Sequence, residues 1–169
     1  VVRSDGLVLF TDPPYGLEKG KAQLDYNGVY ACFPSGYVKV LATDFNRPNG
    51  LTLSPDEKTL YVADTAGAHI RAFDLAKDGS VSNDRVFCEL PNPDGIKTDV
   101  KGNIWATCDG VRVFAPDGKE LQFIEFPERP ANCAFGGQDG KTLYVTARTS
   151  VYKVRTTVAG IHPAGLVEK

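Results

Sequence analysis

A short apolar motif recurs through this chain at nearly regular intervals, and that recurrence limits the fold more than any other feature. Leu60-Tyr61-Val62-Ala63 aligns with Ile104-Trp105-Ala106-Thr107, with Leu143-Tyr144-Val145-Thr146 and with Val8-Leu9-Phe10-Thr11. Their second positions, Leu9, Tyr61, Trp105 and Tyr144, lie 52, 44 and 39 residues apart. Ahead of the last three sits a proline-led segment, read as a turn: Pro48-Asn49-Gly50, Pro93-Asp94-Gly95 and Pro130-Ala131-Asn132. Between each such segment and its motif comes a polar hairpin, as in Ser54-Pro55-Asp56-Glu57-Lys58.

Each repeat is built from strands. Apolar runs of about 4 to 6 residues, such as Thr59 to Ala63, Val111 to Phe114 and Thr142 to Thr146, have strand length. Asp-Gly or Asn-Gly occurs eight times, and these dipeptides favour tight turns. Pro or Gly interrupts every stretch before three helical turns could form. The chain therefore reads as all-β and antiparallel. A repeat of about 40 to 50 residues holding four strands marks a β-propeller blade. Solenoid repeats are about half as long or helical, and an immunoglobulin-like sandwich has no such recurrence. The expected units are approximately 1–47, 48–92, 93–129 and 130–169, giving about 3.5–4 blades. Val1 and Val2 read as the end of an innermost strand. The sequence contains no Met, which suggests a processed chain or a fragment. An open arc leaves apolar sheet faces bare, so a second chain or a copy of this one is expected to complete the ring.

Charge narrows the partners. The net charge is −2, and the 19 Lys and Arg are scattered singly, which argues against nucleic acid. No apolar stretch reaches the roughly 18 residues of a membrane-spanning helix. The four cysteines form no Cys-x-x-Cys pair, so a structural zinc site is not expected. Cys32, Cys88 and Cys133 read as small core residues, which leans towards a reducing, cytoplasmic setting. Trp105 reads as core, His69 as a loop or strand-end residue, and Asn132 as a turn residue.

The candidate site follows from the repeat. Asn49 and Asp94 occupy the same point of successive units, 45 residues apart. Inner strands of a propeller converge on one axis, so both side chains should approach it from neighbouring blades. Their hard oxygens suit Ca²⁺ or Mg²⁺. Asn and Asp before Gly also simply make turns, so spacing alone leaves both readings open.

Phe10-Thr11-Asp12-Pro13-Pro14-Tyr15-Gly16, Asn27-Gly28-Val29-Tyr30, Pro48-Asn49-Gly50-Leu51 and Ser54-Pro55-Asp56 resemble successive segments of the gluconolactonase/regucalcin-like sugar lactone lactonase family. Leu60-Tyr61-Val62-Ala63-Asp64, Pro93-Asp94-Gly95-Ile96, Gly102-Asn103-Ile104-Trp105 and Phe135-Gly136-Gly137 continue the resemblance in order, to about Gly160. It implies a six-bladed ring, of which this sequence is the C-terminal half to two-thirds. It also implies one divalent cation, usually Ca²⁺, with Zn²⁺, Mg²⁺ or Mn²⁺ open. Two of the family's ligands match Asn49 and Asp94. Its early Glu and a second Asn have no counterpart here, and the third equivalent position carries Ala131. The implied chemistry is hydrolysis of sugar lactones, the metal acting as a Lewis acid and Asp94 as general base. Tyr15 and Glu18, in the loop after the first strand, are candidate substrate contacts. The competing readings are a non-catalytic propeller that binds a small molecule or protein, and an inactive fragment.

Overall fold

The computed structural model describes residues 1–18 and 20–161. Fourteen strands form four antiparallel sheets. The first holds β1 (Val8–Asp12), β2 (Asn27–Cys32) and β3 (Val38–Phe45). The second holds β4 (Pro48–Leu53), β5 (Thr59–Asp64), β6 (His69–Leu75) and β7 (Val81–Glu89). The third holds β8 (Ile96–Thr98), β9 (Ile104–Thr107), β10 (Val111–Phe114) and β11 (Glu120–Ile124). The last holds β12 (Asn132–Gly136), β13 (Thr142–Thr146) and β14 (Val151–Arg155). Every sheet runs in simple meander order, and among the described residues there is no helix. No helix is therefore long and apolar enough to cross a membrane.

Val1 and Val2 pair with β1: the Val1 ammonium donates to Leu9 O and Leu9 N–H donates to Val1 O. Val2 forms an isolated antiparallel bridge with Val8, on the edge of β1 opposite β2. The first strands of the other three sheets, β4, β8 and β12, lie next to one another. The sheets thus stack face to face around their inner strands, as blades of a propeller.

Three separate cores fill the gaps between four sheets. Leu9, Val29, Ala31, Leu53, Leu60, Val62 and Phe73 lie between the first and second. Tyr61, Ala63, Ile70, Ile96, Ile104 and Ala106 lie between the second and third. Trp105, Val111, Val113, Cys133, Leu143 and Val145 lie between the third and fourth. Successive residues of a strand point to opposite faces, so a sheet in the middle of the stack buries all of them. All of β9 is buried, and so is β5 after Thr59. The outer sheets alternate instead, with Val8, Phe10, Val38 and Val40 exposed on the first and Tyr144 and Val151 on the last.

Buried polar groups tie turns to these sheets. Asp99 is fully buried and accepts the Lys101 and Asn103 backbone N–H, the Asn103 amide and, at 2.9 Å, Trp105 Nε1. Trp105 is thus a core residue with its one polar atom satisfied, as the buried indole requires. Arg71 reaches from β6 to Asp44 of the first sheet and Asp84 of β7, stacked on Phe45 and Phe73.

The structure departs from the sequence reading in several places. Pro48-Asn49-Gly50 is not a turn. It opens β4, and a register irregularity between Pro48 and Leu51 accommodates the proline. Asn132 likewise begins β12 and caps its own neighbour, its Oδ1 accepting Cys133 N–H. Only four of the eight Asp/Asn-Gly pairs have a positive-φ glycine: Gly6, Gly79, Gly118 and Gly140, each in a tight turn. All four cysteines are free, but Cys32 is half-exposed on the open face of the first sheet, whereas Cys108 is buried. Burial pushes the Cys88 thiol up to about 12 and the Cys133 thiol to about 11.

Candidate active site at the inner-strand entrances

A cavity of about 490 Å³ opens where β4, β8 and β12 begin. Asn49, Asp94 and Ala131, the equivalent positions of three repeats, all line it. So do Arg47, Asn92 and Arg129, the residues preceding Pro48, Pro93 and Pro130. Thr65 and Arg148, equivalent positions one residue beyond the repeated apolar motif and its following residue, close the sides. Tyr15 reaches in from the loop after β1, with the Arg47 guanidinium 5.7 Å from its ring centre. Glu18 sits in the same loop but is exposed and does not line the cavity. His69 is the first residue of β6, and its Nε2 is buried without a partner.

The local backbone places Asn49 and Asp94 side by side. Asp64 ends β5 and accepts the N–H groups of Asn46 and Arg47 at 2.8 Å and of Gly67 at 2.9 Å. It thereby fixes the chain just before β4. The carbonyls of Asn49, Asp94 and Ala131 are each taken by the preceding sheet: from Thr11 Oγ1 at 2.8 Å, Gly50 N–H at 3.2 Å and Gly95 N–H at 3.0 Å. The approach is so close that a Cβ on Gly50 would meet Asp94 O at 2.3 Å, and one on Gly95 would meet Asn132 Oδ1 at 2.2 Å. These glycines are present for space, not for turn conformation.

Hydrogen bonding orients the Asn49 amide. Thr65 gives its only hydroxyl proton to Pro93 O at 2.7 Å. Towards Asn49 it can only accept, at 3.1 Å from Nδ2. The amide nitrogen also faces the Asp94 carboxylate. Nδ2 thus donates to Thr65, and among the described residues no donor reaches Oδ1. Asp94 forms no ion pair among the described residues. Burial pushes its carboxyl above the usual range, opposed by the Asn49 amide and the Arg129 charge. The site thus holds an acid in no ion pair and an amide oxygen without a donor among the described residues.

Asp64 behaves oppositely. Burial raises its pKa, but the three N–H donors and His69 more than reverse this, and the net direction is down. A carboxylate with a depressed folded pKa stabilises the protein above its unfolded value and loses that contribution as pH falls through the folded one. Denaturant melts of wild type and Asp64→Asn across the acid range should therefore diverge near neutrality and converge as pH drops below about 4. Parallel curves would refute this role.

Sequence reasoning singled out Asn49 and Asp94 through the repeat, and the structure brings both to one cavity; it did not single out the arginines that line it too. The signal was present: Arg47 and Arg129 stand at equivalent positions, directly before a repeat proline.

Four stacked meander sheets, three of whose inner strands open onto one polar cavity, define a β-propeller segment. The profile of the SMP-30/Gluconolactonase/LRE-like region family matches residues 1–149, and the chain belongs to that family. It is 37% identical over 174 residues to the gluconolactonase of Zymomonas mobilis, which covers 92% of this chain and 49% of that protein. It is 35% identical over 128 residues to bovine regucalcin, covering 70% of this chain and 43% of the relative. The solved structure of a gluconolactonase from Xanthomonas campestris superposes with a TM-score of 0.82 at 35% identity, covering 95% of this chain and 55% of that one. The chain thus spans about half the length of the curated relatives it matches.

Proposed function

We propose that this chain carries part of the active site of a divalent-metal-dependent hydrolase of sugar lactones. The observation that carries the reading is the placement of Asn49 and Asp94, a carboxylate in no ion pair among the described residues, on one cavity at the entrances of adjacent inner strands. The gluconolactonase relatives support the reaction class.

The donors fit a hard cation. Both are oxygens, one neutral and one anionic, and neither is taken by a cationic side chain. Among the described residues no group of three or more His, Cys, Asp or Glu converges, so a softer nitrogen and sulfur shell is not on offer. Asn49 and Asp94 would hold the ion, and Ca²⁺ is our choice because its shell of 6–8 oxygens accepts water and substrate beside two protein ligands. Bound there, the ion supplies Lewis acidity to a lactone carbonyl.

The remaining work falls to the protein. Asp94 takes a proton from the attacking water; burial makes it a better base than a surface carboxylate. Water oxygen bonds to the carbonyl carbon, the ring C–O bond breaks, and the proton passes to the departing ring oxygen, leaving a hydroxy acid. Thr65 Oγ1, accepting from Nδ2, orients the Asn49 amide. Tyr15 and Arg47 form one wall against which the sugar ring would lie. In the complete enzyme further blades, from the same or another chain, would cover the open faces bearing Val8, Phe10, Val38 and Val40 and bearing Tyr144 and Val151.

Proton release from glucono-1,5-lactone, followed before and after chelation, tests the reading. Hydrolysis should vanish with chelator and return on adding Ca²⁺. Chelator-insensitive hydrolysis would overturn the metal role, and restoration only by Zn²⁺, Mg²⁺ or Mn²⁺ would overturn the choice of ion.

A further inference from the structure

The arginines of this protein divide sharply by location. There are eight. Five lie away from the cavity, and each is ion-paired: Arg3 with Asp5, Arg71 with Asp44 and Asp84, Arg85 with Asp74, Arg112 with Asp109 and Glu120, and Arg155 with Asp139. The other three, Arg47, Arg129 and Arg148, have no carboxylate partner among the described residues, and all three line the cavity.

Their arrangement is that of a receptor for negative charge. They come from separate loops before β4, before β12 and after β13, so only the fold brings them together. Arg129 is held by Cys108 O at 3.2 Å and Asn92 O at 3.4 Å, and Arg47 by the Tyr15 ring. Arg148 makes no side-chain hydrogen bond among the described residues. Against three guanidinium groups the lining offers one acid, Asp94, which is half-buried while the arginines are exposed. Gathering like charges around one cavity costs stability, and a cation at Asp94 would add to the excess. A neutral sugar lactone gives no reason for this. A lactone with an anionic substituent does, because guanidinium binds carboxylate and phosphate in a fork that is both strong and directional.

We propose that the substrate is a sugar lactone bearing an anionic group, a carboxylate or a phosphate, held by Arg47, Arg129 and Arg148 while its carbonyl faces Asn49 and Asp94. This rests on the hydrolase reading for the word lactone, but the anion site stands on the arginines alone.

Two measurements separate these parts. First, kcat/KM is compared at low ionic strength for glucono-1,5-lactone, its 6-phosphate and the analogue with a C6 carboxylate. One anionic lactone should exceed the neutral one at least tenfold, naming the group. Arg47→Gln, Arg129→Gln and Arg148→Gln should each lower that preference about tenfold, and added salt should erode it. Equal rates on all three lactones, or variants that lower all three by one factor, overturn the proposal. Second, calorimetry compares glucose 6-phosphate and glucuronate with glucose, none of which can be hydrolysed as a lactone. Arginine-dependent binding of an anionic sugar, with no lactone turned over by the complete enzyme, supports the anion site and removes the hydrolase reading. Absence of both preference and binding removes the anion site.

Discussion

Asp94→Asn is expected to lower kcat for lactone hydrolysis by about 10³-fold, within the range that a positioned general base contributes. The same variant is expected to be more thermostable than wild type in the presence of chelator. Burial raises the Asp94 pKa, so at neutral pH its negative charge is worth less in the folded protein than in the unfolded chain. The isosteric amide removes that charge while keeping the shape. Opposite movement of activity and melting temperature is the signature of a strained functional group, and a packing residue would lose both together. Asn49→Ala should cost less turnover, because it removes an oxygen ligand and leaves the base. Equal residual rates for the two variants would refute Asp94 as the base, and a less stable Asp94→Asn would refute the account of its burial.

The largest structural effect is expected at Gly50. Its missing Cβ would lie 2.3 Å from Asp94 O, 2.7 Å from Ile96 N and 2.8 Å from Gly95 Cα. All three are backbone atoms of the neighbouring sheet, and none can rotate away. Gly50→Ala must therefore wedge the second and third sheets apart at the site. We expect a loss of about 3 kcal/mol, the upper range of overpacking, and a fall in Tm of roughly 6–12 °C for a domain of this size. Gly36→Ala is the control. Its φ of 84° is strained for alanine, but nothing lies within 4 Å, so its cost should be about 1 kcal/mol. Similar melting temperatures for the two variants would show that the sheets are not in the contact described.

The fold was legible wherever burial is two-sided. β5 and β9, buried along almost their whole length, announce themselves because apolar residues run nearly without interruption. The inner strands were harder. β4 contains Pro48, Asn49 and Gly50, all disfavoured in strands, and β8 has three residues. Their shape serves the close meeting of sheets, which local propensity does not record. β7 was missed for the reverse reason. It is an outer strand whose Ser82, Asn83, Asp84 and Arg85 face solvent, with Asn83 at φ 50° where the register shifts. At the site, Asn49 and Asp94 were accessible because the repeat makes them equivalent. A loop position gives no direction: Tyr15 lines the cavity, and Glu18, three residues later, does not. The arginines looked like scattered surface charge, since only the ion-pair pattern in three dimensions separates them from the other five.

Three cores that share no residues behave as a short linear lattice, each sheet coupled to its immediate neighbours alone. In such a lattice a disturbance in one sheet passes to the next only through the core they share. Asn49 and Asp94 straddle the seam between the second and third sheets. Peripheral blades can breathe, or diverge over evolution, with little transmission to these two residues at the middle.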